Sequence, residues 1–398
     1  MPYILHCIMA QVPKERPMNP NNLLIEQMRA ATRSLMRHAP PAAQSMVEES
    51  MKTVASLQNT GQAVAESQQA AQETGAAAQQ AGFDPFSDML ADFGRLGQAY
   101  GNPFGMPSPS PDAGTTSLPG RFIDGSYTND AGARDYKLYV PSTYKDGGPR
   151  HAAPLLMMLH GCSQSAEDFA LGTGMNALAE EYGCLVVYPA QAQQANAQRC
   201  WNWFNAVDQQ RGQGEPSILA GMTEDIMTRY AIDPERVYVA GLSAGGAMAA
   251  ILGTQYPELY AAVGVHSGLP FGAAHDLSSA IAAMQGEFQR QAPGRGVPVI
   301  VFHGDRDTTV HPANGAEVIR HRRRHASDQE AVEAGHVPDG HAYTRTVHRQ
   351  PDGTIGAEHW VVHDAGHAWS GGDTRGTYTD GKGPNASREM MRFFQTRH

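Results

Sequence analysis

An α/β fold with a mostly parallel central sheet, preceded by a helical or disordered N-terminal region, is the architecture this sequence predicts. Three observations carry it. From about Pro119 onward, short apolar runs bounded by turn residues recur. Helical patterns lie between several of them, and such alternation is the mark of a parallel sheet whose strands are buried on both faces. Before that point the composition is different, rich in alanine, glutamine, proline and serine. A chain of 398 residues is too long for one small core, so it divides into residues 1–117, an appendage, and 118–398, a catalytic-sized domain.

In the appendage, "MPYILHCIMAQVPKERP" lacks a basic n-region and reads as no secretion signal. Asn21 to His38 spaces Leu24, Met28, Ala31 and Leu35 at helical intervals, with Arg29, Arg33 and Arg37 as a basic row. Such helices usually pack on protein; the alternative is an anionic apolar surface such as a lipid layer or a coated polymer granule. Ala65 to Gly82 has few apolar anchors, Phe86 to Leu96 is a second short amphipathic run, and Asn102 to Ser117 is a linker.

In the larger part, "YKLYVP" at Tyr136 alternates like an antiparallel strand. Further strands are expected in "PLLMMLHG" at Pro154, "CLVVYP" at Cys184, "VYVAG" at Val237, "AAVGVHSG" at Ala261, "VPVIVFHG" at Val297 and "HWVVHD" at His359. Helices are expected at Glu167–Tyr182, at Ser217–Tyr230, after Ser243, and in a closing segment "SREMMRFFQTRH". Arg320 to His325, "RHRRRH", reads as a solvated helix face, with His311, His321 and His325 on the surface.

The sharpest motif is "GLSAGG". A strand-like run ends at Gly241, Ser243 follows, and small residues suited to a helix start at Ala244. Glycine at the flanking positions permits the turn that exposes a serine hydroxyl as a nucleophile. Serine is unreactive at its own pKa, so a base and a residue to hold that base must lie past other strand ends. "FHGDRDTTVHP" supplies Asp307, with Asp305 in reserve as a turn-capping residue. "VVHDAGHAWSGG" supplies His367 as the base, while His363 reads as a packed residue. The order Ser, Asp, His is that of α/β-hydrolases. The oxyanion needs two donors, which are expected to be the N–H of Ala244 at the helix start and the N–H of Cys162 in "LHGCSQ".

Six stretches, "LHGCSQSAEDF", "RCWNWFN", "GLSAGGAMA", "HSGLPFGAA", "FHGDRDTTVHPANG" and "DAGHAWSGG", together resemble the esterase family of poly(3-hydroxybutyrate) depolymerases, itself similar to feruloyl and acetylxylan esterases. The resemblance runs from about Leu118 to the C-terminus. It implies Ser243 as nucleophile, Asp307 as acid, His367 as base, Cys162 in the oxyanion hole, and a Cys162–Cys200 disulfide. Trp201, Trp203 and Trp369 flank these motifs and are candidate walls of an acyl or polymer cleft. The expected substrate is a hydroxyalkanoate polyester, its oligomers or a small ester, with plant cell-wall esters as the rival and a granule-binding protein as the alternative of another class.

No metal or organic cofactor is implied. The formal charge of -10 argues against a nucleic-acid partner, and no apolar stretch is long enough to span a bilayer. The expected location is cytoplasmic, with possible granule contact through the N-terminal region. Secretion stays open, because four cysteines do not decide the compartment.

Overall fold

The computed structural model describes residues 118–148, 151–288, 296–322 and 329–396. The expectations for residues 1–117, granule contact included, lie outside them, as does His325.

A ten-stranded sheet organises the domain. Its strands are β1 (Arg121–Asn129), β2 (Gly132–Val140), β3 (Ala153–Leu159), β4 (Leu185–Pro189), β5 (Ile232–Leu242), β6 (Ala262–His266), β7 (Val299–Gly304), β8 (Gln329–His336), β9 (Ala342–Arg349) and β10 (Ile355–Val362), in the order β1-β2-β4-β3-β5-β6-β7-β10-β9-β8. The six strands from β4 to β10 in that order run parallel. An antiparallel pair extends each side.

The apolar runs without alternation follow from this arrangement. Leu155 and Met157 face one core with Val237, Val239, Val263 and Val299, while Leu156 and Met158 face the other with Val186, Tyr238, Ile300 and Phe302. Every residue of β4, β6 and β7 is buried.

Seven α-helices pack around the sheet among the described residues: α1 (Ala166–Thr173), α2 (Met175–Tyr182), α3 (Gly214–Arg229), α4 (Ala244–Gln255), α5 (Leu277–Met284), α6 (Ala313–Arg322) and α7 (Ala386–Gln395). The single helix expected over Glu167–Tyr182 is two, because Gly174 takes a left-handed φ of 61° and ends α1. Helix α7 covers one face with Met390, Phe393 and Phe394, the last stacked on Tyr238 at 4.7 Å.

The reading of "RHRRRH" as a solvated face is corrected in part. His321 and Arg322 are buried, and the Arg322 guanidinium donates to Ala250 O at 3.2 Å and to Thr254 Oγ1 at 2.9 Å. Burial pushes the His321 pKa down to about 4. Arg320 pairs with Glu317, one turn back on α6, and His311 is exposed. Strands β1, β8 and β9 were not expected. β8, "QEAVEAGH", is exposed along almost all its length and offers no apolar face to read, which suits an edge strand.

The core carries one fully buried carboxylate on β10. Glu358 accepts from Arg345 at 3.0 and 3.1 Å and from Arg392 at 2.5 Å. Burial works to raise its pKa, but the two guanidinium groups outweigh it, so the carboxyl sits below its ordinary value of 4.5. A depressed pKa means that its stabilisation is complete above about pH 4.5 and is lost as the pH falls through the folded value. Glu358→Gln should therefore destabilise the domain by about 2 kcal/mol at pH 7, because Arg345 and Arg392 lose their buried partner and keep only the more exposed Glu333 and Glu389. Urea unfolding at pH 7 and at pH 3 checks this: the gap between wild type and variant should narrow at the lower pH.

Candidate active site

The nucleophile candidate ends the central strand. Ser243 has φ 57° and ψ -120°, a conformation that L-residues avoid, and it is held there by its N–H donating to His266 O at 2.8 Å and its carbonyl accepting from Ala247 at 2.9 Å. Glycine at 245 is a steric requirement. A Cβ there would collide with the carbonyl oxygens of Leu159 and His160, and one at Gly241 would strike the backbone of Gly245. The start of α4 thus lies against the end of β3, which brings the Cys162 loop beside Ser243. Ala244 is the first residue of α4, so its N–H has no carbonyl one turn back to bond.

The next strands deliver the partners. Leu242 pairs with His266, His266 with Phe302, and Val362 with Gly304, so the C-terminal ends of β5, β6, β7 and β10 lie side by side. His367 follows β10, and its Nδ1–H donates to Asp307 Oδ2 at 2.7 Å. Asp307 Oδ1 accepts from the N–H groups of Thr309 and Val310 at 3.0 and 2.8 Å. His303 Nε2 lies 3.4 Å from Oδ2 and donates to Val310 O at 2.8 Å. Burial alone would raise the Asp307 pKa. The hydrogen bonds from His303 and His367 outweigh it and hold the carboxyl well below the usual carboxylate range.

The residues held in reserve pair with each other instead. His363 Nδ1 donates to Asp305 Oδ2 at 2.9 Å and its Nε2 meets Thr344 Oγ1 at 2.9 Å, so neither ring nitrogen is left for a serine. Asp305 also caps the turn, accepting from Asp364 N–H at 2.7 Å. His363 is half-exposed at the strand end, not packed. In contrast, His367 Nε2 has no hydrogen-bond partner among the described residues, and with Nδ1 protonated it is the lone-pair nitrogen that a base presents. Ser243 Oγ makes no hydrogen bond to it among those residues; bonds of this kind commonly tighten when substrate binds.

Several supporting residues were missed in the sequence. His266 is buried beneath the site, its Nε2 accepting from Ser370 N–H at 2.9 Å while its ring stacks on Trp369 at 5.0 Å. Burial pushes its pKa down to about 3, so it stays neutral. His160, the histidine of "LHGCSQ", donates from Nδ1 to Gly161 O at 2.7 Å and accepts at Nε2 from Gln191 N–H at 3.0 Å. Gln191 also bonds Glu215, a buried carboxylate that takes Arg134 at 3.0 Å and the Asn202 N–H at 2.7 Å. This chain of polar contacts ties β2, α3 and the "RCWNWFN" loop to the loop of Cys162. The Cys162–Cys200 disulfide closes the same junction. Only the burial pattern of a folded sheet reveals these roles, since each side chain is an ordinary polar residue in the sequence.

The three expected tryptophan walls are corrected. Trp201 and Trp369 are fully buried, and each satisfies its ring N–H inside the protein: Trp201 on His160 O at 3.1 Å, Trp369 on Ser387 Oγ at 3.0 Å. They support the site from beneath. Trp203 is 4% exposed, packs edge-on against Phe204 and lies with it in the core.

A family model described as "Esterase PHB depolymerase" matches residues 134–335. The chain is 31% identical over 254 residues to poly(3-hydroxyalkanoate) depolymerase C of Paucimonas lemoignei, covering 60% of this chain and 59% of that one. It is 28% identical to poly(3-hydroxybutyrate) depolymerase of Ralstonia pickettii, over 56% of this chain and 49% of the other. Feruloyl esterase B of Thermothelomyces thermophilus is 30% identical over 46% of this chain and 67% of its own length. The chain thus spans about half to three-fifths of the two depolymerases. Among solved structures, an acetyl xylan esterase from Aspergillus awamori shares the fold, with a TM-score of 0.50 at 19% identity over 66% of this chain and 94% of its own.

The two aspartate–histidine pairs make opposite demands on mutation. Asp307→Asn should lower kcat on a chromogenic aryl ester by about four orders of magnitude, because the amide favours the wrong imidazole tautomer. Asp305→Asn, at an exposed pair, should cost less than about threefold. Steady-state kinetics of the two purified variants compares them directly.

Proposed function

The chain belongs to the esterase PHB depolymerase family, and from that premise we propose that it is a serine carboxylic ester hydrolase cleaving hydroxyalkanoate polyesters or their oligomers. The observation that supports this most is the pairing of a serine on a strained strand-to-helix turn with a histidine whose Nδ1 is fixed by a buried carboxylate. In this reading His367 Nε2 takes the Ser243 proton as the hydroxyl attacks the ester carbonyl. The N–H groups of Ala244 and Cys162 receive the oxyanion, each such donor being worth about 100- to 1000-fold in rate. His367 then protonates the departing alcohol. Water, deprotonated by the same nitrogen, releases the acid from the acyl-enzyme.

The polyester substrate is favoured by the two depolymerases among the relatives. A feruloyl or acetylxylan-type activity is the second reading, favoured by relatives of both kinds. A granule-binding role ranks below both, since it rests on residues 1–117. Among the described residues no helix is long and apolar enough to cross a membrane. The cytoplasmic location expected from the sequence has the disulfide against it, because such bridges persist in oxidising compartments. We therefore favour an oxidising environment.

Acid release from amorphous poly(3-hydroxybutyrate) and from methyl ferulate, measured for wild type and Ser243→Ala, tests the proposal. Polymer turnover should fall by about 10⁴-fold or more in the variant. Turnover of ferulate alone by the wild type would move the enzyme to the cell-wall esterases, and activity that survived the substitution would overturn the mechanism.

A further inference from the structure

We propose that Tyr378 is a specificity-determining residue, its ring walling the cleft against the acyl chain of the ester; this rests on the ester-hydrolase reading above. Tyr378 adopts a left-handed φ of 51°, a genuine outlier for a bulky aromatic residue, and is nevertheless 47% exposed. A strained backbone under a side chain that stays half exposed is not explained by core packing. Such outliers persist where the surroundings over-determine them, and they gather at binding and catalytic sites.

The surroundings here are the two loops that carry the chemistry. The Tyr378 carbonyl accepts from Trp369 N–H at 2.7 Å, two residues after the base His367, where β11 (Trp369–Ser370) pairs with β12 (Thr379–Asp380). Its hydroxyl lies 3.5 Å from Ser163 Oγ, one residue after the oxyanion donor Cys162. Ser163 is itself left-handed, with φ 64°. The preceding residue is clamped as firmly. Thr377 donates its N–H to Asp168 Oδ1 at 3.0 Å, and its carbonyl accepts from Gln164 Nε2 at 3.0 Å. The other amide atom of Gln164, Oε1, accepts from Gly161 N–H at 2.9 Å. The ring of Tyr378 is thus fixed between the base-bearing loop and the oxyanion loop with about half its surface turned outward. An ester carbonyl seated between Ser243 and the N–H groups of Ala244 and Cys162 must send one of its substituents past that junction, and a flat, partly polar ring suits a short hydrocarbon chain carrying ester oxygens.

The test is kcat and KM for Tyr378→Phe, Tyr378→Ala and Tyr378→Gly on p-nitrophenyl acetate, butyrate and octanoate, with thermal melting of each protein. In the alanine and glycine variants kcat/KM should fall about tenfold on octanoate and about twofold on acetate, mainly through KM, as the lost apolar contact scales with chain length. Tyr378→Phe should restore the wild-type chain-length preference. Tyr378→Gly should melt no lower than wild type, since glycine adopts this backbone without strain. An equal loss on all three esters through kcat would overturn the proposal and make Tyr378 a tether of the oxyanion loop. Unchanged profiles would overturn it as well. A wild type that hydrolyses these aryl esters but no hydroxyalkanoate would sink the polyester reading and leave this one standing; a wild type inactive on every ester would sink both.

Discussion

The approach of the first turn of α4 to the end of β3 is the constraint on which the rest of the site depends. With only hydrogen atoms at Gly245, the carbonyls of Leu159 and His160 rest against the helix start. That contact sets Ser243 and the loop of Cys162 at one place. Helix partial charge and the N–H of Ala244, which has no carbonyl one turn back, then converge on that place. The left-handed turn at Ser243 is what remains to be held, and the His266 carbonyl on the neighbouring strand holds it.

Around this point the protein uses buried histidines as struts. His160, His266 and His303 each have a ring nitrogen tied to backbone or to a neighbouring side chain, and burial keeps His160 and His266 neutral. A neutral imidazole donates with one nitrogen and accepts with the other, so His160 joins two backbone groups, Gly161 O and Gln191 N–H, that could not bond each other. His303 is tied through Nε2 alone, its Nδ1 being buried without a partner among the described residues, whereas the Nε2 that His367 leaves untied belongs to a ring whose Nδ1 is fixed on a buried carboxylate.

Much of this was legible before the structure. The buried strands announced themselves as unbroken apolar runs because a parallel sheet covered on both faces demands them. Ser243, Asp307 and His367 followed from the need for a nucleophile, a base and a holder past successive strand ends. The edge strands were illegible for the converse reason: β8 buries almost nothing, so no periodicity was imposed on it. The tryptophans misled because adjacency to a motif does not say which face of a ring meets solvent. Trp201 and Trp369 turned inward, where a hydrogen-bond acceptor was waiting. Tyr378 passed unnoticed because backbone strain leaves no mark on composition.

The closing helix α7 adds a matter of timing. It lays Phe393 and Phe394 over one face of the sheet, and its Arg392 completes the shell of Glu358 on β10, yet it is synthesised after all ten strands. Until it emerges, the part of that face which α1 and α2 do not cover is bare and the Glu358 carboxylate lacks one of its two cations. A chain translated only as far as β10 therefore cannot complete its core and is prone to associate through the bare part of that face. Chaperone demand for this protein should thus concentrate in the interval between translation of β10 and the packing of α7.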